Sequence, residues 1–250
     1  MAYFDLTISS RSIGRQTNVG VILPQPGYEA FRESTAQPGK CKVLYLLHGL
    51  SDCYNDWQRY TAIERYARER GIAVVMPDGD RSFYTNLPHG RNYYDYVAKE
   101  LPKIMETMFP LLSSAREDRF IAGNSMGGYG ALKIALREDG AFAAAAPLSP
   151  VGDIAAHVGH ESWDDYHIVF GEDRHVKDED NILLLAEKCK VRPRVWLGIG
   201  RDDYLYENDK ALCEKLNTLG YDFTFHETSG PHTWYVWDEL IEKALDWMLA

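Results

Sequence analysis

The sequence predicts an α/β protein: a mostly parallel sheet of about eight strands flanked by helices. Three observations carry that expectation. Short apolar runs such as Val43–Leu47 recur along the chain, and an all-apolar run is what a strand buried on both faces requires. Between them lie stretches of about 10–18 residues of helical composition, some closed by glycines such as Gly71 and Gly220. No internal repeat and no low-complexity tract disturbs the alternation.

In chain order, residues 5–9 and 18–23 are strand-like with no helix between them, an antiparallel hairpin at one sheet edge. The Pro- and Gly-containing stretch 24–39 reads as a hairpin connection with a long polar loop. Strand Val43–Leu47 leads to a helix over 56–70 ended by Gly71, then to a strand over 72–76 stopped by Pro77. A helix over 92–109 follows, which Pro102 kinks or divides because it lacks an N–H. Strand 119–122, helix 126–137 and strand 141–148 continue the pattern. Residues 151–190 interrupt it and read as a lid insertion over the strand ends, within one domain spanning 1–250. Strand 194–199, helix 207–219, the alternating strand 222–226 and a helix over 234–249 close the chain.

Lys+Arg total 27 against 37 Asp+Glu, a net charge of −10. That balance argues against a nucleic-acid backbone or an anionic membrane surface as partner. No run approaches the roughly 18 apolar residues of a membrane-spanning helix. The four cysteines, Cys41, Cys53, Cys189 and Cys213, form no C-x-x-C pair. Reduced thiols in a cytoplasmic protein are the simplest expectation. His157 and His160 lack the H-E-x-x-H pattern of a zinc helix, and the acidic run 172–180 lacks a calcium-loop pattern. No metal or cofactor is expected.

The chemistry concentrates at Gly123-Asn-Ser-Met-Gly127, a G-x-S-x-G match between a strand-like RFIA and a helical GYGALKIALR. That is the setting of a nucleophile elbow, in which glycines let the helix pass close to the strand and Ser125 Oγ projects beyond the sheet. A serine hydroxyl needs a base. His232, in a loop between the last strand and the last helix, lies at the same sheet edge. The acid should follow a strand between them. Asp202 and Asp203 compete there, and Asp203, beside Tyr204-Leu205, is favoured. Backbone N–H donors for an oxyanion would come from Met126, after the nucleophile, and from Leu50, with Ser51 second, in the loop His48-Gly-Leu-Ser-Asp52. Tyr84, Trp163, Tyr166 and Phe170 are placed near the substrate pocket.

The ordered set LLHGLSDCYNDW, MPDGDRSFYTN, YYDYVAKELP, GNSMGGYGAL, GRDDYLY and GPHTWYVWDELI resembles the esterase D / tributyrin esterase group of α/β-hydrolases. S-formylglutathione hydrolases and acetyl-xylan and feruloyl esterases are relatives of that group. The resemblance runs from about residue 43 to the C-terminus and is weakest over 151–190. It implies an eight-stranded α/β-hydrolase sheet and a Ser125, Asp203, His232 triad, with Leu50 and Met126 as oxyanion donors. The expectation is a serine carboxylesterase for short-chain acyl esters, acetyl or hydroxycinnamoyl, on small molecules or oligosaccharides; a homo-oligomer is compatible with it. In S-formylglutathione hydrolases the segment after the oxyanion-loop glycine is typically Leu-Thr-Cys-Thr. Here it is Leu50-Ser-Asp-Cys53. Hydrolysis of that thioester is one alternative, and a non-catalytic binding protein of the same fold is another.

Overall fold

In the computed structural model, residues 1–25, 39–160 and 164–250 are described. Eight strands form one sheet: β1 (Ala2–Ser10), β2 (Arg15–Leu23), β3 (Val43–Leu47), β4 (Ala73–Pro77), β5 (Arg119–Asn124), β6 (Ala144–Leu148), β7 (Arg194–Gly200) and β8 (Phe223–Thr228). Their order is β1-β2-β4-β3-β5-β6-β7-β8. β1 and β2 form the expected antiparallel hairpin, with Ala2 opposite Leu23 and Ser10 opposite Arg15. β2 also runs antiparallel to β4, and all later pairs are parallel.

The reading of residues 24–39 as a hairpin connection is corrected here. β2 and β3 are not neighbours, because β4 lies between them. The stretch is instead a crossover, and residues 26–38 lie outside the described part.

Among the described residues the α-helices longer than one turn are α1 (Asp56–Tyr60), α2 (Ile63–Arg70), α3 (Leu101–Met108), α4 (Met126–Arg137), α5 (Ile154–His160), α6 (Asp165–Phe170), α7 (Ile182–Lys188), α8 (Tyr206–Thr218) and α9 (Trp234–Leu249). The helix expected over 56–70 is two helices, broken where Thr61 turns extended. Gly71 ends α2 at φ 64°, its N–H bonded to the carbonyls of Ala67 and Arg68. The helix expected over 92–109 is divided as Pro102 requires. A π-helical stretch, Tyr96–Glu100, precedes α3, and the proline sits in the first turn of α3.

Strand alternation sorts the core into two layers. Val43, Tyr45 and Leu47 face one side with α3, α4, α7 and α8. Leu44 and Leu46 face the other with Trp57 of α1, α2 and α9. Both sides of β3 are fully buried, as its continuous apolar run demands.

One charged group lies deep in the first layer. Lys133 of α4 is fully buried. Its Nζ donates to the Phe83 carbonyl (3.0 Å), Thr85 Oγ1 (2.6 Å) and Asp180 Oδ1 (3.2 Å). Tyr129, one turn earlier, donates to the Asp180 carbonyl at 2.6 Å. Burial pulls the Lys133 ammonium down to about 8 despite the opposing pull of Asp180. This buried pair ties α4 to the loop after β4 and to the turn before α7. Lys133→Met leaves the buried Asp180 carboxylate only the longer Arg137 contact, 4.0 Å, so urea denaturation should show a loss of up to about 3–5 kcal/mol. A double variant with Asp180→Asn should recover part of it, whereas additive losses would contradict a coupled pair.

Candidate active site

The parallel strands carry their C-terminal ends to one edge, and the expected site residues collect there. Ser125 is the single residue between β5 and α4, with φ 54° and ψ −119°. A non-glycine residue at that φ stores backbone strain of about 1–3 kcal/mol. The neighbouring glycines explain why the turn closes. A Cβ on Gly123 would stand 2.6 Å from the Gly127 carbonyl carbon and 2.7 Å from the Leu47 oxygen. A Cβ on Gly127 would collide with the carbonyls of Leu47 and His48. The Ser125 N–H is fixed on the Leu148 carbonyl at 2.8 Å.

His232 lies in the loop between β8 and α9. Its Nδ1 meets both carboxylate oxygens of Asp203, at 3.0 and 2.8 Å. Asp203 is buried, and its Oδ1 also accepts the Leu205 N–H at 2.9 Å. The competing Asp202 instead accepts the Gly230 N–H at 3.3 Å and is exposed, so it braces the histidine loop. The His232 ring is held between Tyr204 (centroids 4.7 Å apart) and Trp237, which meets it edge-on at 4.8 Å. Trp237 is itself anchored by an Nε1–H bond to Ser149 Oγ at 3.2 Å.

Ser125 and His232 line the same cavity, of about 1150 Å³. Leu50, one of the expected oxyanion donors, lines it too, with Gly49, Ser51 and Asp52. Met126 begins α4 directly after Ser125 and is buried.

Three of the expected pocket aromatics, Tyr84, Tyr166 and Phe170, are not on the cavity wall. Tyr84 is fully buried, wedged against Gly79 and Gly130, where a Cβ would collide with its ring in each case. Its hydroxyl donates to the His48 carbonyl at 2.9 Å. Tyr166 and Phe170 are buried in a cluster with Phe83, at centroid distances of 5.4 and 6.2 Å. These three are core residues that support the site from beneath, a correction to their placement from sequence. Trp163 lies outside the described residues.

The wall is built from residues the sequence reading passed over: Tyr60, Tyr204, Trp234 and Tyr235, with Arg59 and Arg81. Tyr60 packs on Trp234 at 5.2 Å, and Arg59 lies over Tyr60 at 5.3 Å. For Trp234 and Tyr235 the signal was the cluster Trp234-Tyr-Val-Trp237, two residues after His232. It reads as the apolar stripe of a helix, but the first turn of that helix faces the cavity. From the 151–190 segment, Asp164 and Asp165 reach the wall, and Asp165 makes a two-pronged ion pair with Arg81, both contacts 2.7 Å.

A second carboxyl sits behind the first. Asp209 of α8 is fully buried, and burial, with the Asp203 charge added, pushes it well above its ordinary value of 3.8. The folded protein therefore keeps a proton that the unfolded chain gives up, and stability falls as the pH rises above that ordinary value. Asp209→Asn removes the effect. Its thermal midpoint should exceed that of the wild type at pH 7, with the margin widening from about pH 5 to about pH 7 and vanishing below about pH 4. A margin that ignores pH would contradict this.

The sequence matches the Esterase family profile over residues 10–248. An acetyl esterase of Caldicellulosiruptor saccharolyticus is 29% identical over 262 residues, covering 99% of this chain and 98% of the relative. The substrate-bound structure of fluorophosphonate-binding serine hydrolase F of Staphylococcus aureus superposes with a TM-score of 0.92 at 37% identity, covering 100% of this chain and 98% of that one. S-formylglutathione hydrolase of the same organism gives a TM-score of 0.89, also at 37% identity, with 100% and 99% covered. A ferulic acid esterase, at 20% identity, shares the fold with a TM-score of 0.80 over 99% of this chain and 98% of that one. With nearly its whole length matched, the chain belongs to the Esterase family: it is a serine hydrolase of carboxylic esters on the α/β-hydrolase fold.

Proposed function

We propose that the protein hydrolyses short-chain acyl esters through Ser125, His232 and Asp203. The observation that carries this reading is the Asp203–His232 contact of 2.8 Å beside the cavity that Ser125 lines. His232 takes the Ser125 proton as Oγ attacks the ester carbonyl. Asp203 accepts the Nδ1–H and stabilises the imidazolium that forms. The N–H groups of Leu50 and Met126 receive the developing oxyanion, a contribution of about 10²–10³ in rate per donor. His232 then hands its proton to the leaving alcohol, and water repeats the sequence on the acyl-enzyme.

The cavity is far larger than an acetyl group, so most of its room serves the alcohol side or a longer acyl group such as hydroxycinnamoyl. Tyr60, Trp234 and Tyr235 offer flat apolar faces to a ring on a sugar or aromatic ester. Of the segment 151–190, Asp164 and Asp165 form one wall of the cavity in this reading, tied down by the Arg81–Asp165 pair within a single domain. Thioester hydrolysis of S-formylglutathione is the second reading, supported by the 37% identical relative of that name.

Initial rates with p-nitrophenyl acetate, butyrate and octanoate test the first reading. Rates should fall with chain length, and Ser125→Ala should lose at least about 10³-fold. Equal rates in both proteins would remove Ser125 from the chemistry. A kcat/KM for S-formylglutathione well above that for acetyl and feruloyl esters would favour the thioester.

A further inference from the structure

We infer that His48 is a positioning residue that aims the Leu50 N–H at the oxyanion, resting on the reading above of Leu50 as a donor. His48 follows β3 with a buried side chain and is not among the residues lining the cavity. Its Nε2 receives the Gly79 N–H at 2.8 Å, so Nε2 carries a lone pair and the proton of the neutral ring is on Nδ1. The Asp78 carboxylate, 3.5 Å from Nε2, is the more distant neighbour. Nδ1–H therefore donates to the Gly49 carbonyl, 2.7 Å away.

That carbonyl and the Leu50 N–H belong to one planar trans peptide, so fixing the oxygen fixes the direction of the N–H on the opposite side. The Asp52 N–H adds a second, longer bond to the same oxygen at 3.2 Å. Asp52 Oδ2 accepts the Gly49 N–H at 3.1 Å and Asn124 Nδ2 at 3.2 Å, which links the loop to the residue before Ser125. From behind, the Tyr84 hydroxyl holds the His48 carbonyl. The imidazole thus holds the Gly49 carbonyl through Nδ1–H, while the Gly79 N–H on Nε2 fixes the tautomer that makes Nδ1 a donor.

Two variants separate the two nitrogens. Asn places an N–H donor where Nδ1 stands, and Gln places an acceptor where Nε2 stands. His48→Asn should keep kcat within about fivefold of the wild type, because the Gly49 bond survives. His48→Gln should lower kcat by about 10²-fold with KM nearly unchanged, and weaken a trifluoromethyl ketone inhibitor by a similar factor, since a misaimed donor is felt only in the transition state. Equal losses in both variants, or a wild-type kcat in His48→Gln, would overturn the assignment. Nitrogen NMR of the wild type tests it without any variant. Protonated Nδ1 and unprotonated Nε2 support the assignment, and the reverse tautomer overturns it. Activity that persists in Ser125→Ala would overturn the underlying reading, and it is measured separately from the His48 comparison.

Discussion

At the C-terminal end of the sheet, the chain passes itself with no room for side chains. Gly123 and Gly127 press on each other and on the carbonyls of Leu47 and His48, while Ser125 between them takes φ 54°. The close approach brings the end of β3, the end of β5 and the start of α4 into contact. One consequence is a nucleophile raised above the sheet edge. Another is that the loop after β3 is braced against the same turn, so donor and nucleophile share one rigid support. The strain at Ser125 is tolerated because its N–H is bonded across to β6 and its carbonyl accepts from Tyr129 within α4.

Three buried ionisable groups among the described residues, Lys133, Asp203 and Asp209, bear on the same corner of the fold. Lys133 secures α4, the helix that starts at the serine, to the loop carrying Phe83 and Tyr84. Asp203 is satisfied by His232 and a backbone N–H. Asp209 lies behind it, its carboxyl pushed well above the ordinary range because an ionised form there is both desolvated and repelled by Asp203. Aromatic rings finish the job around His232, where Tyr204 and Trp237 restrict the imidazole to the orientation that Asp203 selects.

Most of the frame is legible in the sequence because its elements announce themselves locally. The run Val43–Leu47 can only be a doubly buried strand, and helices 126–137 and 234–249 begin where the motif and the histidine loop end. The strand order is legible only in part. Nothing local in residues 24–39 says whether the chain turns back or crosses over, so β4 lying between β2 and β3 came from the structure. The pocket wall is harder still. Tyr84 and Trp234 are both aromatic residues near site motifs, yet one fills a slot left by Gly79 and Gly130 while the other faces the cavity. That choice depends on contacts between segments far apart in sequence. For the same reason the role of His48 is invisible before Gly79 and Gly49 are seen on its two sides.

The central claim is that Ser125 is an activated nucleophile facing the cavity. Incubation with a small alkyl fluorophosphonate, followed by intact mass and peptide mapping, tests it most directly. The account predicts one phosphonyl adduct, carried by the peptide containing Gly123-Asn-Ser-Met-Gly127, and a strongly slowed reaction in His232→Ala. No adduct, or an adduct on another residue such as Ser51, would contradict it.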